Sequence, residues 1–101
     1  MLVHWIWLAT RPHVSDRAKV ELVRRFQDPE AVYFADAESY LEIEGLREEG
    51  KTALADKNLQ EAEQILRTCR KKDLKILTYR GHHHVLACND EVCGSVDAVP
   101  N

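Results

Sequence analysis

Apolar positions recur with helical spacing through most of this chain, and then the period changes. Val3, Trp5, Ile6 and Leu8 leave few polar positions in the first ten residues, so a helix there would be buried on most of its surface. Arg11-Pro12 ends it. Ser15 reads as an N-cap with Asp16 in the first turn, and Ala18, Leu22 and Phe26 recur every four residues, which predicts a second helix from Asp16 to Phe26. Asp28-Pro29-Glu30 repeats the start signal, with Ala31, Val32 and Phe34 as the buried face. Asp36 opens a further short helix through Tyr40 and Ile43, and Glu44-Gly45-Leu46 turns the chain.

A helix from Glu48 to Ala55 follows, with Gly50 as a weak point inside it. Asn58 can cap the longest helix, where Leu59, Ala62, Ile65, Leu66 and Cys69 fall at helical spacing. Arg67, Arg70, Lys71 and Lys72 crowd its last turns, where cations complement the helix dipole. Leu74 to Tyr79 then reads as a strand, with Leu74, Ile76 and Thr78 on one face and Lys75, Leu77 and Tyr79 on the other. After Arg80 periodicity disappears. The expected fold is mainly α: residues 1–80 form a bundle of five or six short helices ending in one short β-strand, and residues 81–101 form an irregular tail.

Composition narrows this picture. A chain of 101 residues, 45% hydrophobic, suits one domain with one core. The formal net charge of −3 argues against a surface that traps polyanions everywhere, so any DNA contact must be local. The apolar run Met1 to Thr10 is shorter than the roughly 20 residues a bilayer demands and lacks the cationic start of a signal peptide. No membrane partner is expected. Three cysteines, Cys69, Cys88 and Cys93, form no even disulfide framework, which makes a reducing cytoplasm the simpler setting.

The chemistry worth weighing lies in a short internal echo. His13-Val14-Ser15 and Gly45-Leu46-Arg47 each sit between two helices with an aliphatic residue in the middle. In a helix-hairpin-helix module such a turn, with the positive end of the next helix, holds a DNA phosphate without reading sequence. Glycines normally let the backbone approach the phosphate; here His13 and Ser15 replace them in the first turn, and the second keeps only Gly45. Arg11, Arg17, Lys19, Arg24 and Arg25 surround the first turn, opposed by Asp16 and Glu21. From Asp28 to Glu49, eight acidic residues stand against Arg47 alone, a net of −7 that repels phosphate from the second turn. The backbone-contact candidates are therefore Arg11, His13, Ser15, Arg17, Lys19 and Gly45. The plainer reading is that both turns only connect packed helices and the charges are a solvated face.

Other constellations carry less. His82, His83, His84, Cys88 and Cys93 offer the ligand types zinc prefers, but four residues separate the cysteines and no second knuckle exists. A zinc site at His82, His84, Cys88 and Cys93 is the alternative to a tail that holds no metal. Cys69 lies on the apolar face of its helix and reads as an inert, buried thiol. Trp5 and Trp7 could stack on bases but read as packing residues, although two positions apart they cannot share one helix face. With no paired base and nucleophile and no phosphate loop, the residues support neither an enzyme nor a cofactor.

The order of these segments resembles a family. "LATRPHVSDRAKVELVRRFQDPEAVYFADAESYLEIEGLREEGKTALA" followed by "NLQEAEQILRTCRKKDLKILTYR" looks like the N-terminal region of DNA-processing protein A, also called DprA or Smf. The likeness covers about Leu2 to Arg80 and rests on the Trp-rich first helix ending in "LAT", the "RRFQDPEAVYFA" segment, the "IEGL" turn and the "LKILTYR" strand. It implies a cytoplasmic protein of natural transformation that protects incoming single-stranded DNA and helps load a RecA-type recombinase. It implies, further, that this region is a non-catalytic helical module of sterile-alpha-motif or helix-hairpin-helix type, and that the family's main DNA site lies in a following Rossmann-like domain whose residues have no counterpart here. A protein-interaction or homo-oligomerisation module without DNA binding is the alternative from another class.

Overall fold

The computed structural model describes residues 2–79 and 84–99. Five α-helices come first: α1 (Leu2–Ala9), α2 (Asp16–Phe26), α3 (Pro29–Phe34), α4 (Glu48–Ala55) and α5 (Gln60–Lys71), with a 3-10 helix over Ala37–Tyr40 between α3 and α4. Strands β1 (Lys75–Tyr79), β2 (His84–Cys88) and β3 (Cys93–Ser95) follow, and a second 3-10 helix spans Val96–Ala98.

The start signals act as their chemistry dictates. The Ser15 hydroxyl accepts from the Ala18 amide at 3.1 Å, Asp28 from Ala31 at 2.8 Å, and Asp36 from Ser39 at 3.1 Å. Asn58 accepts from the Gln60 amide at 2.9 Å and so opens α5. Helix α1 is the centre of the core: Ile6, Trp7 and Leu8 are wholly buried, and α5, α3, β2 and the second 3-10 helix all pack on it. Ala18 and Leu22 of α2, Val32 of α3, Leu54 of α4, and Ala62, Ile65 and Cys69 of α5 complete the cluster. Burying each of the larger aliphatics contributes about 1.5–3 kcal/mol. Trp5 is half-buried, as the two-residue offset from Trp7 requires. The inertness expected of Cys69 has a physical basis, because burial pushes its thiol pKa up.

Four expectations are corrected. The chain does not end in one strand and an irregular tail: β1, β2 and β3 form an antiparallel sheet in that order, with Ile76 opposite Ala87, Thr78 opposite Val85, and Ala87 opposite Gly94. Val85, Ala87 and Val96 are core residues, so the segment after Arg80 packs onto the domain formed before it. Cys88 and Cys93, paired across β2 and β3, are joined by a disulfide. Phe34 is not part of α3's buried face but 71% exposed, since it stands two positions from the buried Val32 and so points away from it. Gly50 is not a weak point. A Cβ there would lie 2.8 Å from Leu46 Cδ1 and 2.9 Å from the His13 carbonyl oxygen, so the missing side chain lets α4 lie against both turns.

His4 is 5% exposed, packs against the rings of Tyr33 and Phe34 at 4.9 and 5.8 Å, and leaves Nδ1 without a hydrogen bond. Burial lowers its pKa, against an upward pull from Glu30. The folded protein therefore binds a proton at His4 less readily than the unfolded chain, and stability rises with pH through that window.

Two predictions follow from the core. Gly50→Ala should cost about 1–3 kcal/mol through overpacking, read as a lower urea midpoint with unchanged m-value. Stability should be level above the unfolded histidine pKa of about 6.5 and fall as pH drops below it. His4→Phe should flatten that window, leaving the more acidic decline in which Glu21 and Asp36, held below the usual carboxylate range by hydrogen bonds from Arg24 and Ser39, become protonated. Urea titrations from pH 7 to pH 5 decide it; an unchanged slope in His4→Phe would remove His4 as the cause.

Candidate nucleic-acid interface

The two turns that echo one another in sequence are alike in backbone geometry. His13 and Gly45 both take positive φ, at 62° and 83°. Val14 and Leu46, the aliphatic residues that follow, are both buried. Ser15 and Arg47 are both extended N-cap residues, with φ and ψ of −67° and 159° against −86° and 170°, opening α2 and α4. For a histidine the left-handed region costs about 1–2 kcal/mol relative to glycine, so the turn's shape is imposed by its surroundings. The turns also meet. His13, Val14, Ser15, Gly45, Arg47 and Glu49 line one open cleft, and Gly50 permits the contact.

The structure divides the six candidates. His13, Ser15 and Gly45 come together in the cleft, exposed. Arg17 is exposed on the first turn of α2 but does not line the cleft. Arg11 and Lys19 are corrected as phosphate contacts, because both cations are spent inside the fold. Arg11 is 7% exposed: its Nε donates to the Trp7 carbonyl at 2.9 Å, one terminal nitrogen donates to the Ala53 carbonyl at 3.2 Å, and the Asp56 carboxylate lies at 3.6 Å. Lys19, 8% exposed, donates to the Ala9 carbonyl at 2.8 Å, and burial lowers its pKa despite Asp97 and Asp16 nearby. Two further cations of the first hairpin are paired, Arg24 with Glu21 and Arg25 with Glu42.

Sequence reasoning missed Arg47 and Glu49, which bring one charge of each sign to the cleft. The echo itself held the signal for Arg47, which occupies the place of Ser15. No family model, no curated protein and no solved structure matches this chain.

The alternative zinc site is corrected too. The disulfide consumes the thiolates of Cys88 and Cys93, and the metal binds thiolate, not disulfide sulfur. His82 lies outside the described residues, as does the side chain of His84. Among the described residues no group of three or more His, Cys, Asp or Glu is placed to hold a metal ion. No described helix is long and apolar enough to cross a membrane.

If the burial of Arg11 governs its role, Arg11→Met should destabilise the fold by about 2–3 kcal/mol by stranding buried carbonyls, whereas Arg17→Glu should change stability by less than about 0.5 kcal/mol. Thermal unfolding of the two variants side by side checks this; equal midpoints would contradict it.

Proposed function

We propose that this chain is the N-terminal accessory module of a DNA-processing protein of DprA type, which contacts the DNA backbone without reading sequence and carries out no chemistry of its own. On this reading the domain is of sterile-alpha-motif or helix-hairpin-helix type. It supports the protection of single-stranded DNA and the loading of a RecA-type recombinase. One observation carries the proposal: the matched turns, with positive φ at His13 and Gly45, a buried aliphatic next, and a helix start after it. That arrangement places Ser15 and Arg47, the N-cap residues of α2 and α4, on a shared cleft, where a phosphate would meet the positive ends of two helix dipoles. Arg17 and Arg47 flank the cleft with positive charge, which Glu48 and Glu49 offset, so the attraction for a phosphate rests on the helix ends. Binding on these terms is weak and electrostatic.

A protein-interaction or oligomerisation module is the second reading, and a different observation favours it. Leu41, 65% exposed, lies beside half-buried Phe26 in a groove rimmed by Asp36, Glu38 and the Arg25–Glu42 pair, a net acidic surface suited to a segment with a basic group and an apolar anchor.

Fluorescence anisotropy with a labelled single-stranded oligonucleotide separates the two. Affinity should fall as salt rises, each phosphate neutralised at the turns adding about 0.7 to the slope of log affinity against log salt for a single strand. Arg17→Glu combined with Arg47→Glu should weaken binding severalfold without unfolding the domain. No binding at low salt, or binding indifferent to salt, rejects the DNA reading. Light scattering that finds a dimer dissolved by Leu41→Glu would support the second.

A further inference from the structure

The end of α5 was read from sequence as a set of cations serving the helix dipole, yet the backbone already satisfies that end. The amides of Lys72, Asp73 and Leu74 donate to the carbonyls of Thr68, Arg70 and Cys69 at 2.9, 3.3 and 2.7 Å. Asp73, at φ 56°, folds the chain back so that β1 begins two residues later. Arg67, Arg70, Lys71, Lys72 and Lys75 are thereby gathered at one corner, all exposed. Arg67 stands three and four positions from Arg70 and Lys71, and such neighbours on a helix surface have Cβ atoms about 5–6 Å apart. From residue 67 to residue 75, five cations face Asp73 alone, a net of +4 in a chain whose total is −3. None of the five makes an ion pair or a side-chain hydrogen bond among the described residues.

The contrast with the first hairpin is direct. There, Arg11 and Lys19 are buried on carbonyls, and Arg24 and Arg25 are paired with glutamates, which leaves Arg17. Cations without partners, three of them neighbours on the last turns of α5 and two just beyond it, with no aromatic anchor among the described side chains, suit a phosphate backbone better than a protein interface, whose core is aromatic and poor in charge.

We infer that the corner formed by the end of α5 and the start of β1 is a nucleic-acid backbone site, with Arg67, Arg70, Lys71, Lys72 and Lys75 each facing a phosphate. This rests on the reading of the chain as a DNA-contacting module, and it places most of the electrostatic affinity away from the turns. The site takes single-stranded or duplex backbone without sequence preference, because every contact is to charge.

The test uses the full chain and a fluorescein-labelled oligothymidylate, with Arg67→Glu/Lys71→Glu compared with Arg17→Glu. Affinity should drop at least about tenfold in the double variant, and the slope of log affinity against log salt should flatten by about 1.4, two single-strand contacts' worth. The thermal midpoint should hold, since neither side chain touches the core; if it falls, Arg67→Gln/Lys71→Gln is read in the same way with a smaller loss. Unchanged affinity in the double variant, with binding abolished by Arg17→Glu, overturns this inference and leaves the turns as the site. An absence of binding by the unmodified chain at low salt removes both. Competition by poly-glutamate as effective as by oligonucleotide would overturn the nucleic-acid assignment in favour of an acidic protein ligand.

Discussion

Everything in the helical part of this fold depends on satisfying the carbonyl ends of helices that pack without water. Helix α1 is buried nearly all round, so its last carbonyls cannot be left to solvent. Three nearby side chains take them. Thr10 Oγ1 donates to the Ile6 carbonyl at 2.9 Å, Arg11 Nε to Trp7 at 2.9 Å, and Lys19 Nζ reaches from α2 to Ala9 at 2.8 Å. Arg11 and the indole of Trp7 then turn to the end of α4, donating to the Ala53 carbonyl at 3.2 Å and the Asp56 carbonyl at 2.9 Å. A guanidinium, with five donors in a planar, pre-organised fork, can bridge two helix ends at once. The buried cations cost desolvation, and they are kept because the groups they serve would cost more if unpaired.

A third cation extends the same logic at the rim of the core. The Lys57 ammonium lies 5.0 Å from the ring centre of Trp7, 5.3 Å from Tyr33 and 5.4 Å from Tyr40, and it donates to the Tyr40 hydroxyl at 3.0 Å. Tyr33 donates to the Lys57 carbonyl and Tyr40 to that of Val32, so the linker between α4 and α5 is tied to α3 through aromatic rings. Burial pushes the Tyr40 phenol up to about 12 and keeps it a donor. Positive charge in this protein is thus partly structural, and a count of cations along the chain overstates what a ligand can meet.

That distinction marks how much could be read without coordinates. Helix boundaries were legible because their signals are local: Ser15, Asp28 and Asp36 bond amides three residues on, whatever the tertiary setting. Core faces were legible where helices are long, as with Ala62, Ile65 and Cys69, and failed in the six-residue α3, where Phe34 has no second turn to fix its phase. The sheet was illegible for another reason. Val85 and Ala87 alternate over too few residues to signal a strand, and what orders them is pairing with Ile76 and Thr78 and packing on α1, the latter distant in sequence. The burial of Arg11 and Lys19 could not be read at all, because it depends on where the ends of α1 and α4 meet.

The candidate site shows the same division at smaller scale. An aliphatic residue between two helices was enough to pair the turns, since burying Val14 and Leu46 requires the chain to fold inward at the same point in each. What spacing could not convey is that they would share a cleft. That follows from Gly50, whose missing Cβ brings the start of α4 within contact of the His13 carbonyl and Leu46. With a larger residue there the turns would separate, and each helix start would face solvent alone with a single dipole's worth of attraction for an anion. The close approach at Gly50, more than the residues lining the cleft, makes a joint phosphate site geometrically feasible.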